Sequence, residues 1–249
     1  MKIEPVKTSS LHGKVKKALY KYIYSLDLKR NNKLPDEENL AKMLGVSRIT
    51  LRGVLSELSQ EGIILRKHGK GTFLNPEAMK LKVRFNPAQE YEKAISNSGY
   101  TPAVHIIEIK TIVSKTINQK LKLAEESEVV LISKLFFANK KPAIYTLDYI
   151  PKRIIANFNN LEPDDFSICT FNFLQIYAGK EVKRDFVEIS ACSSIDQSDL
   201  REHFAADQAG VKGLLLLKCL NFDQENKPIL YYVNYFDTVF IKFTSIRSL

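Results

Sequence analysis

From Leu34 to Leu74 the chain reads LPDEENLAKMLGVSRITLRGVLSELSQEGIILRKHGKGTFL, a stretch whose helix start and stop signals admit few folds. Asp36 is placed to cap a first helix whose apolar residues Leu40, Ala41, Met43 and Leu44 fall on one face, and Gly45 supplies the positive φ that ends it. Ser47 then caps a second helix, in which Leu51, Val54, Leu55 and Leu58 recur at helical spacing. Gly62 stops that helix. Next come an apolar strand over Ile63–Leu65, a turn over residues 66–71 and a second strand over Thr72–Leu74, which together make a hairpin with cations at its tip. Two short helices at a tight turn, followed by such a hairpin, read as a winged helix-turn-helix. In that reading Ser47, Arg48, Thr50 and Arg52 sit at the exposed start of a recognition helix, facing base edges and phosphates of double-stranded DNA. Lys67, His68, Gly69 and Lys70 of the wing reach phosphates or the minor groove beside it.

Charge singles out the same part of the chain. Residues 1–75 hold 15 Lys and Arg against 7 Asp and Glu, while the remaining residues hold 22 against 21, so nearly all of the formal +9 lies in the first part. Such a concentration suits a polyanion partner, because neutralised phosphates release condensed counterions. No signal-peptide core follows Met1-Lys2, and no apolar run approaches the roughly 20 residues that span a bilayer, which argues for a cytoplasmic protein with no membrane partner. Cys169, Cys192 and Cys219 lie far apart in apolar segments and read as small buried hydrophobes in a reducing compartment. His12, His68, His105 and His203 form no ligand-spaced pair, so neither a metal site nor a cofactor is expected.

A chain of 249 residues accommodates two ordinary domains, and the pattern divides it into a DNA-binding domain over 1–76, a linker over 77–84 and a second domain over 85–249. The first domain begins with an amphipathic helix over Leu11–Leu26, with Val15, Leu19, Tyr22, Ile23 and Leu26 on one stripe. In the second, periodicity predicts helices over Pro87–Ser98, Asn118–Leu123, Cys169–Tyr177 and Gln197–Phe204, the last capped by Asp196. Strands are predicted over Val104–Val113, Val129–Ala138, Ala143–Ile150, Val182–Cys192, Leu214–Phe222, Ile229–Phe236 and Val239–Phe243. Strands joined by hairpins with helices between them imply an α+β domain on an antiparallel sheet.

The first-domain residues Leu34-Pro35 with Glu37, Leu40-Ala41, Gly45-Val46-Ser47-Arg48, Thr50-Leu51-Arg52, Glu61-Gly62-Ile63 and Gly69-Lys70-Gly71-Thr72-Phe73 stand in the order and spacing of the GntR family of bacterial transcription regulators, which the chain resembles. Asp36 stands where that family usually has Ser, and Glu38 where it usually has Arg. Gly99 with Pro102, the segment Leu131–Ala138 into Pro142, Tyr149-Ile150-Pro151 and Lys227-Pro228 before an aromatic strand resemble the UTRA domain of the HutC branch, an effector-binding domain of chorismate-lyase-like fold. The resemblance implies a homodimeric repressor in the bacterial cytoplasm, associated with the nucleoid. It would bind a DNA operator under control of a small-molecule effector held in the C-terminal domain.

Members that bind phosphorylated sugars present two arginines two residues apart on the strand corresponding to Leu131–Ala138, because the planar guanidinium donates two parallel bonds to a phosphate. Those positions hold Lys134 and Phe136 here, Thr146 replaces a glutamate of the next strand, and Leu230 and Asp237 stand near a further glutamate and arginine. The implied effector site therefore comprises Lys134, Phe136, Thr146, Tyr231 and Tyr235. Either the effector is less anionic and more apolar than a sugar phosphate, or Lys134 acts with donors such as Tyr231, Asn234 and Tyr235. Core packing is the competing reading of each tyrosine, since alternate residues of a strand face opposite sides. Two other functions stay open: a small-molecule enzyme of lyase-like fold carrying a DNA-binding domain, and a DNA-binding protein that needs no effector.

Overall fold

The computed structural model describes residues 11–26, 32–75, 90–204 and 210–243. They divide into two compact units, one within Met1–Leu81 and one within Lys82–Phe243. The expected linker over 77–84 and the start of the second domain lie outside the described residues.

The first unit contains α1 (Leu11–Ser25), α2 (Glu37–Leu44), α3 (Arg48–Gln60), β1 (Ile64–Lys67) and β2 (Gly71–Leu74). The punctuation acts as the residues dictate. Asp36 accepts the Asn39 N–H at 2.8 Å, Gly45 takes φ 64° after α2, and Ser47 accepts the Thr50 N–H at 3.1 Å. Each such cap satisfies a backbone donor that the helix start leaves open and contributes about 1 kcal/mol. Val15, Leu19 and Ile23 of α1 pack with Leu40 and Ala41 of α2 and with Leu51, Val54, Leu55 and Leu58 of α3. Met43 does not join them. It is 59% exposed, one residue off the buried stripe that Leu40 and Ala41 define. β1 and β2 pair antiparallel from Ile64 with Leu74 to Lys67 with Gly71, and the Lys70 N–H donates to the Lys67 carbonyl across the tip. Gly69 stands there at φ 68°, where a side chain would be strained.

A polar network fastens α1 to α3 outside this core. Lys16 donates to Glu57 and, at 2.7 Å, to Glu61; His12 meets Glu57 at 2.9 Å, and the Tyr20 hydroxyl donates to Glu61 at 2.5 Å. The bond from Lys16, then that from His12, holds the Glu57 carboxyl below its ordinary range. A carboxyl whose folded pKa is lowered adds stability above its unfolded value and loses it as pH falls through the folded one. Glu57→Gln should therefore lower the stability of this unit at neutral pH by no more than about 1 kcal/mol, since water screens a half-exposed pair. Thermal melts of the variant and the native chain should converge below the lowered carboxyl range and in high salt.

The second unit runs α4 (Tyr91–Asn97), β3 (Pro102–Val113), α5 (Lys115–Lys120), β4 (Glu128–Ala138), β5 (Lys141–Pro151), three short 3-10 turns between Lys152 and Phe166, α6 (Thr170–Tyr177), β6 (Arg184–Ser193), α7 (Ser198–Phe204), β7 (Gly213–Phe222) and β8 (Pro228–Asp237). The strands form one antiparallel sheet in the order β3-β4-β5-β8-β7-β6. Both faces are covered. Apart from Ala143 and Ile229, which lie near register shifts at the strand ends, even-numbered residues of β4, β5 and β8 meet Ala94 and Ile95 of α4 and Phe173 and Leu174 of α6, whereas odd-numbered ones meet Leu200 and Phe204 of α7.

Three expectations are corrected here. The helix expected at Asn118 begins at Lys115, because Ser114 caps it, and Asn118 turns inward to donate to the Glu125 and Ser127 carbonyls. Val239–Phe243 is not a strand: Asp237 accepts the Val239 N–H at 3.0 Å and closes a turn, after which Ile241 is buried and Phe243 packs edge-on against Phe236. Asp196 caps no helix; it accepts the Ser193 N–H at 2.8 Å, and α7 starts at Ser198 after Gln197.

Candidate functional site

On the first unit, α3 leads with its charged end outward. Ser47, Arg48 and Arg52 are exposed and Thr50 half-buried, its hydroxyl 2.9 Å from that of Ser47. Lys67, His68, Gly69 and Lys70 are all exposed on the wing, with the Lys67 ammonium 5.1 Å from the centre of the Phe73 ring. Two residues of consequence escaped the sequence reading. Ile49, between Arg48 and Thr50, is 83% exposed, an unusual position for so apolar a side chain. Glu37 accepts a bond at 2.6 Å from the Arg52 Nε and another at 3.3 Å from an Arg66 Nη, tying the recognition helix to the wing. The terminal nitrogens of Arg52 lie on the other side of its guanidinium from the Nε donor, in the fork that suits a guanine edge.

On the second unit, the register lays the sheet out in rows. One row runs Lys134, Thr146, Asn234, Leu217, Ile189 across β4, β5, β8, β7 and β6; the next runs Ile132, Asp148, Tyr232, Cys219, Val187. Above these rows, α4 and the segment entering α6 enclose a cavity of about 640 Å³. Lys134, Phe136 and Thr146 line it together. Tyr231 and Tyr235 are not brought to it, because strand alternation turns them to the opposite face, where they stack on Tyr149 and Tyr145. Tyr232 takes the place expected of them, and Asp148 is the second residue that was missed. Neither had a local signal, since each depends on which parity of β5 and β8 faces the cavity.

Lys134 and Asp148 are both buried, and each is held by the segment that closes the cavity. The Lys134 ammonium donates to the Ile168 carbonyl at 2.8 Å, and the Thr170 hydroxyl donates to the Asp148 carboxylate at 2.5 Å. Burial pushes the lysine below its ordinary pKa and the aspartate above its own, and each charge opposes the shift of the other. Burial likewise pushes the Cys219 thiol, beside Tyr232, up to about 12. The Asn234 amide donates to the Tyr91 hydroxyl, but its Oδ1 and the Thr146 Oγ1 are buried without a partner. Orphaned buried polar atoms are rare in proteins because each costs about 1–3 kcal/mol. Thr146 lines the cavity floor, where an incoming molecule can satisfy it, and Asn234 stands next to it in the same row of the sheet.

The two buried charges should themselves reduce stability, Asp148 increasingly as pH rises from the ordinary Asp range through its raised value. Lys134→Met with Asp148→Asn should accordingly melt above the native chain, by about 1–4 kcal/mol at neutral pH, since buried charges yield readily to neutral groups of similar volume. Either substitution alone should melt below the double variant, because it leaves one charge without its opposite.

Residues 11–74 match the family described as bacterial regulatory proteins, gntR family, and residues 97–239 match the UTRA domain. YurK of Bacillus subtilis, described as an uncharacterized HTH-type transcriptional regulator, is 30% identical over 137 residues, 55% of this chain and 56% of YurK. A protein of Escherichia coli O157:H7 named "Probable fructoselysine utilization operon transcriptional repressor" is 24% identical over 198 residues, 79% of this chain and 77% of its own length. The crystal structure of YydK from Bacillus subtilis shares the fold, with a TM-score of 0.73 at 16% identity over 94% of this chain and all of that one.

Proposed function

Because the chain belongs to the gntR family of bacterial regulatory proteins and carries a UTRA domain, we propose that it is a cytoplasmic, homodimeric repressor whose grip on its operator is set by a small molecule in the C-terminal cavity. The observation that carries this reading is the cavity floor, where the buried, unpartnered Thr146 hydroxyl stands beside Lys134 under a largely apolar enclosure. Such a site, with few polar groups converging on an apolar chamber, has the composition of a ligand pocket. The DNA-binding domain spans 1–76, the linker 77–84 and the effector domain 85–249. Among the described residues no helix is long and apolar enough to cross a membrane.

Effector sites in this proposal are Lys134, Phe136 and Thr146, with Asp148 and Tyr232 added and Tyr231 and Tyr235 set aside. The effector has at least one anionic or polar group and an apolar body. It leaves the cavity chemically unchanged: the groups around Asp148 and Lys134 hold the enclosing segment in place, and among the described residues no third one orients a nucleophile there. Control needs only that the effector prefer one arrangement of the DNA-binding domains, and coupling between two sites is typically about 1–3 kcal/mol. Thermal-shift screening of metabolites followed by operator titration should find a compound that changes operator affinity by about 5- to 150-fold. Recovery of that compound unaltered after incubation separates regulator from enzyme, and an operator affinity indifferent to every bound compound would overturn effector control.

On DNA, Arg48 holds phosphate, Arg52 reads a guanine with its terminal nitrogens while Glu37 anchors its Nε, and Ile49 meets a thymine methyl. Thr50 and Ser47 support them, and Lys67, His68, Gly69 and Lys70 follow the backbone from the wing. Arg52→Ala should cost about 1–3 kcal/mol of operator binding and relax one base position in a binding-site selection. Lys70→Ala should instead weaken all sequences alike and flatten the salt dependence by about one unit of slope. If the selection returned the native motif at native affinity, the assignment of Arg52 would fail.

A further inference from the structure

The charges that line the cavity are unequal in number and sign. Among the described residues Lys134 is the one cation that lines it, against Asp148 on the floor and Glu90, Glu92 and Asp185 toward the edge. Of these, Glu90 is engaged by the exposed Lys93 at 2.6 Å, and Asp148 accepts only the neutral Thr170 hydroxyl among its described hydrogen bonds. A dianionic group such as a phosphate monoester would enter a chamber with more carboxylate than ammonium. An anion of single charge, by contrast, can lie against Lys134, provided that a cation on the same molecule lies against Asp148.

Register supplies the spacing for both contacts. Lys134 faces Thr146 directly across β4 and β5, and Asp148 follows two residues along β5 on the same face. Diagonal neighbours of this kind lie roughly 7–8 Å apart in a sheet, a span that a molecule carrying its two charges on one or two carbons can bridge. The Thr146 hydroxyl, 1% exposed and unpartnered, lies beside Lys134 and is free to donate to the same anionic group. Away from the two charges, Phe171, Val187, Ile189 and Leu217 offer an apolar wall.

Resting on the reading of this cavity as the effector site, we propose that its ligand is a small zwitterion with an apolar body, of the amino-acid type: its carboxylate binds Lys134 and Thr146, and its ammonium binds Asp148. The ligand replaces the Ile168 carbonyl on Lys134 and the Thr170 hydroxyl on Asp148, so binding frees the segment leading into α6 from both of its polar attachments.

Four probes that share one apolar body test the charge pattern on the full chain: phenylalanine as the zwitterion, phenethylamine as the cation, 3-phenylpropionate as the anion and phenyl phosphate as the dianion. Isothermal titration should rank phenylalanine first, by about tenfold or more over either single-charge probe, as the loss of one charged hydrogen bond implies, and phenyl phosphate last. In Asp148→Asn the advantage of phenylalanine over 3-phenylpropionate should vanish, and in Lys134→Met its advantage over phenethylamine should vanish. The ranking on the native chain decides the matter even if a variant does not fold. Phenyl phosphate or 3-phenylpropionate binding as tightly as phenylalanine would overturn the zwitterion while leaving the cavity as an effector site. Binding of none of the four, or binding that both folded variants leave unchanged, would overturn the zwitterion and the cavity assignment together.

Discussion

Strand alternation in one antiparallel sheet is the constraint from which the rest of the C-terminal unit follows. With both faces covered, a residue of β4, β5, β7 or β8 has two environments open to it, and parity decides which. Even parity on β4, β5 and β8 carries Lys134, Thr146, Asp148 and Tyr232 toward α4 and α6; odd parity carries Tyr145, Tyr149, Tyr231 and Tyr235 toward α7. A slip of one residue in any central pairing would exchange those sets, bringing the stacked tyrosines into the cavity and burying two charges beneath α7. The long apolar runs of β4 and β8 pin the register by giving each face its own packed cluster.

Within that frame the cavity floor opposes stability. A core built for stability alone would not place an ammonium and a carboxylate on adjacent strands and then satisfy them with a loop carbonyl and a threonine hydroxyl. Neutral partners offset part of the cost of burying each charge and the opposite charge offsets a further part, yet burial still governs the direction in which both are shifted. Thr146 and Asn234 add orphaned oxygens to the same row. Such a concentration of unmet polar demand, beside packed Phe136 and Phe236, is the physical signature that separates a binding floor from ordinary core.

Legibility in the sequence followed the range of the interaction. The winged helix could be read almost residue by residue because its signals are local: a carboxylate or hydroxyl three residues before the N–H it accepts, and a glycine where φ turns positive. The α+β class and most strands were equally readable from periodicity. Errors arose where a local signal went unread, as the Ser114 cap that starts α5 ahead of Asn118, or where Asp196 and Asp237 direct their carboxylates to turns. Parity was the deeper obstacle. The run Tyr231-Tyr232 contains one residue for each face whatever the fold, and only its pairing with β5 and β7 reveals which faces the cavity. Asp148 stayed hidden for the same reason, since a lone carboxylate in an apolar strand carries no mark of its destination.

The DNA-binding unit meets a related tension at Glu37. A carboxylate on the face proposed to meet a polyanion weakens binding to every sequence alike, by repelling phosphates and by neutralising part of the charge of Arg52 and Arg66. The same carboxylate removes freedom from the Arg52 side chain, which otherwise loses rotamer entropy on reaching a base. A guanidinium held at Nε offers its terminal pair in one orientation, and a wing held through Arg66 keeps its register against the helix. With Arg52 in the base-reading role proposed for it, non-specific affinity falls while discrimination at a single base rises. That exchange suits a regulator, because its operator competes with an excess of other sites and the ratio between specific and non-specific binding governs occupancy.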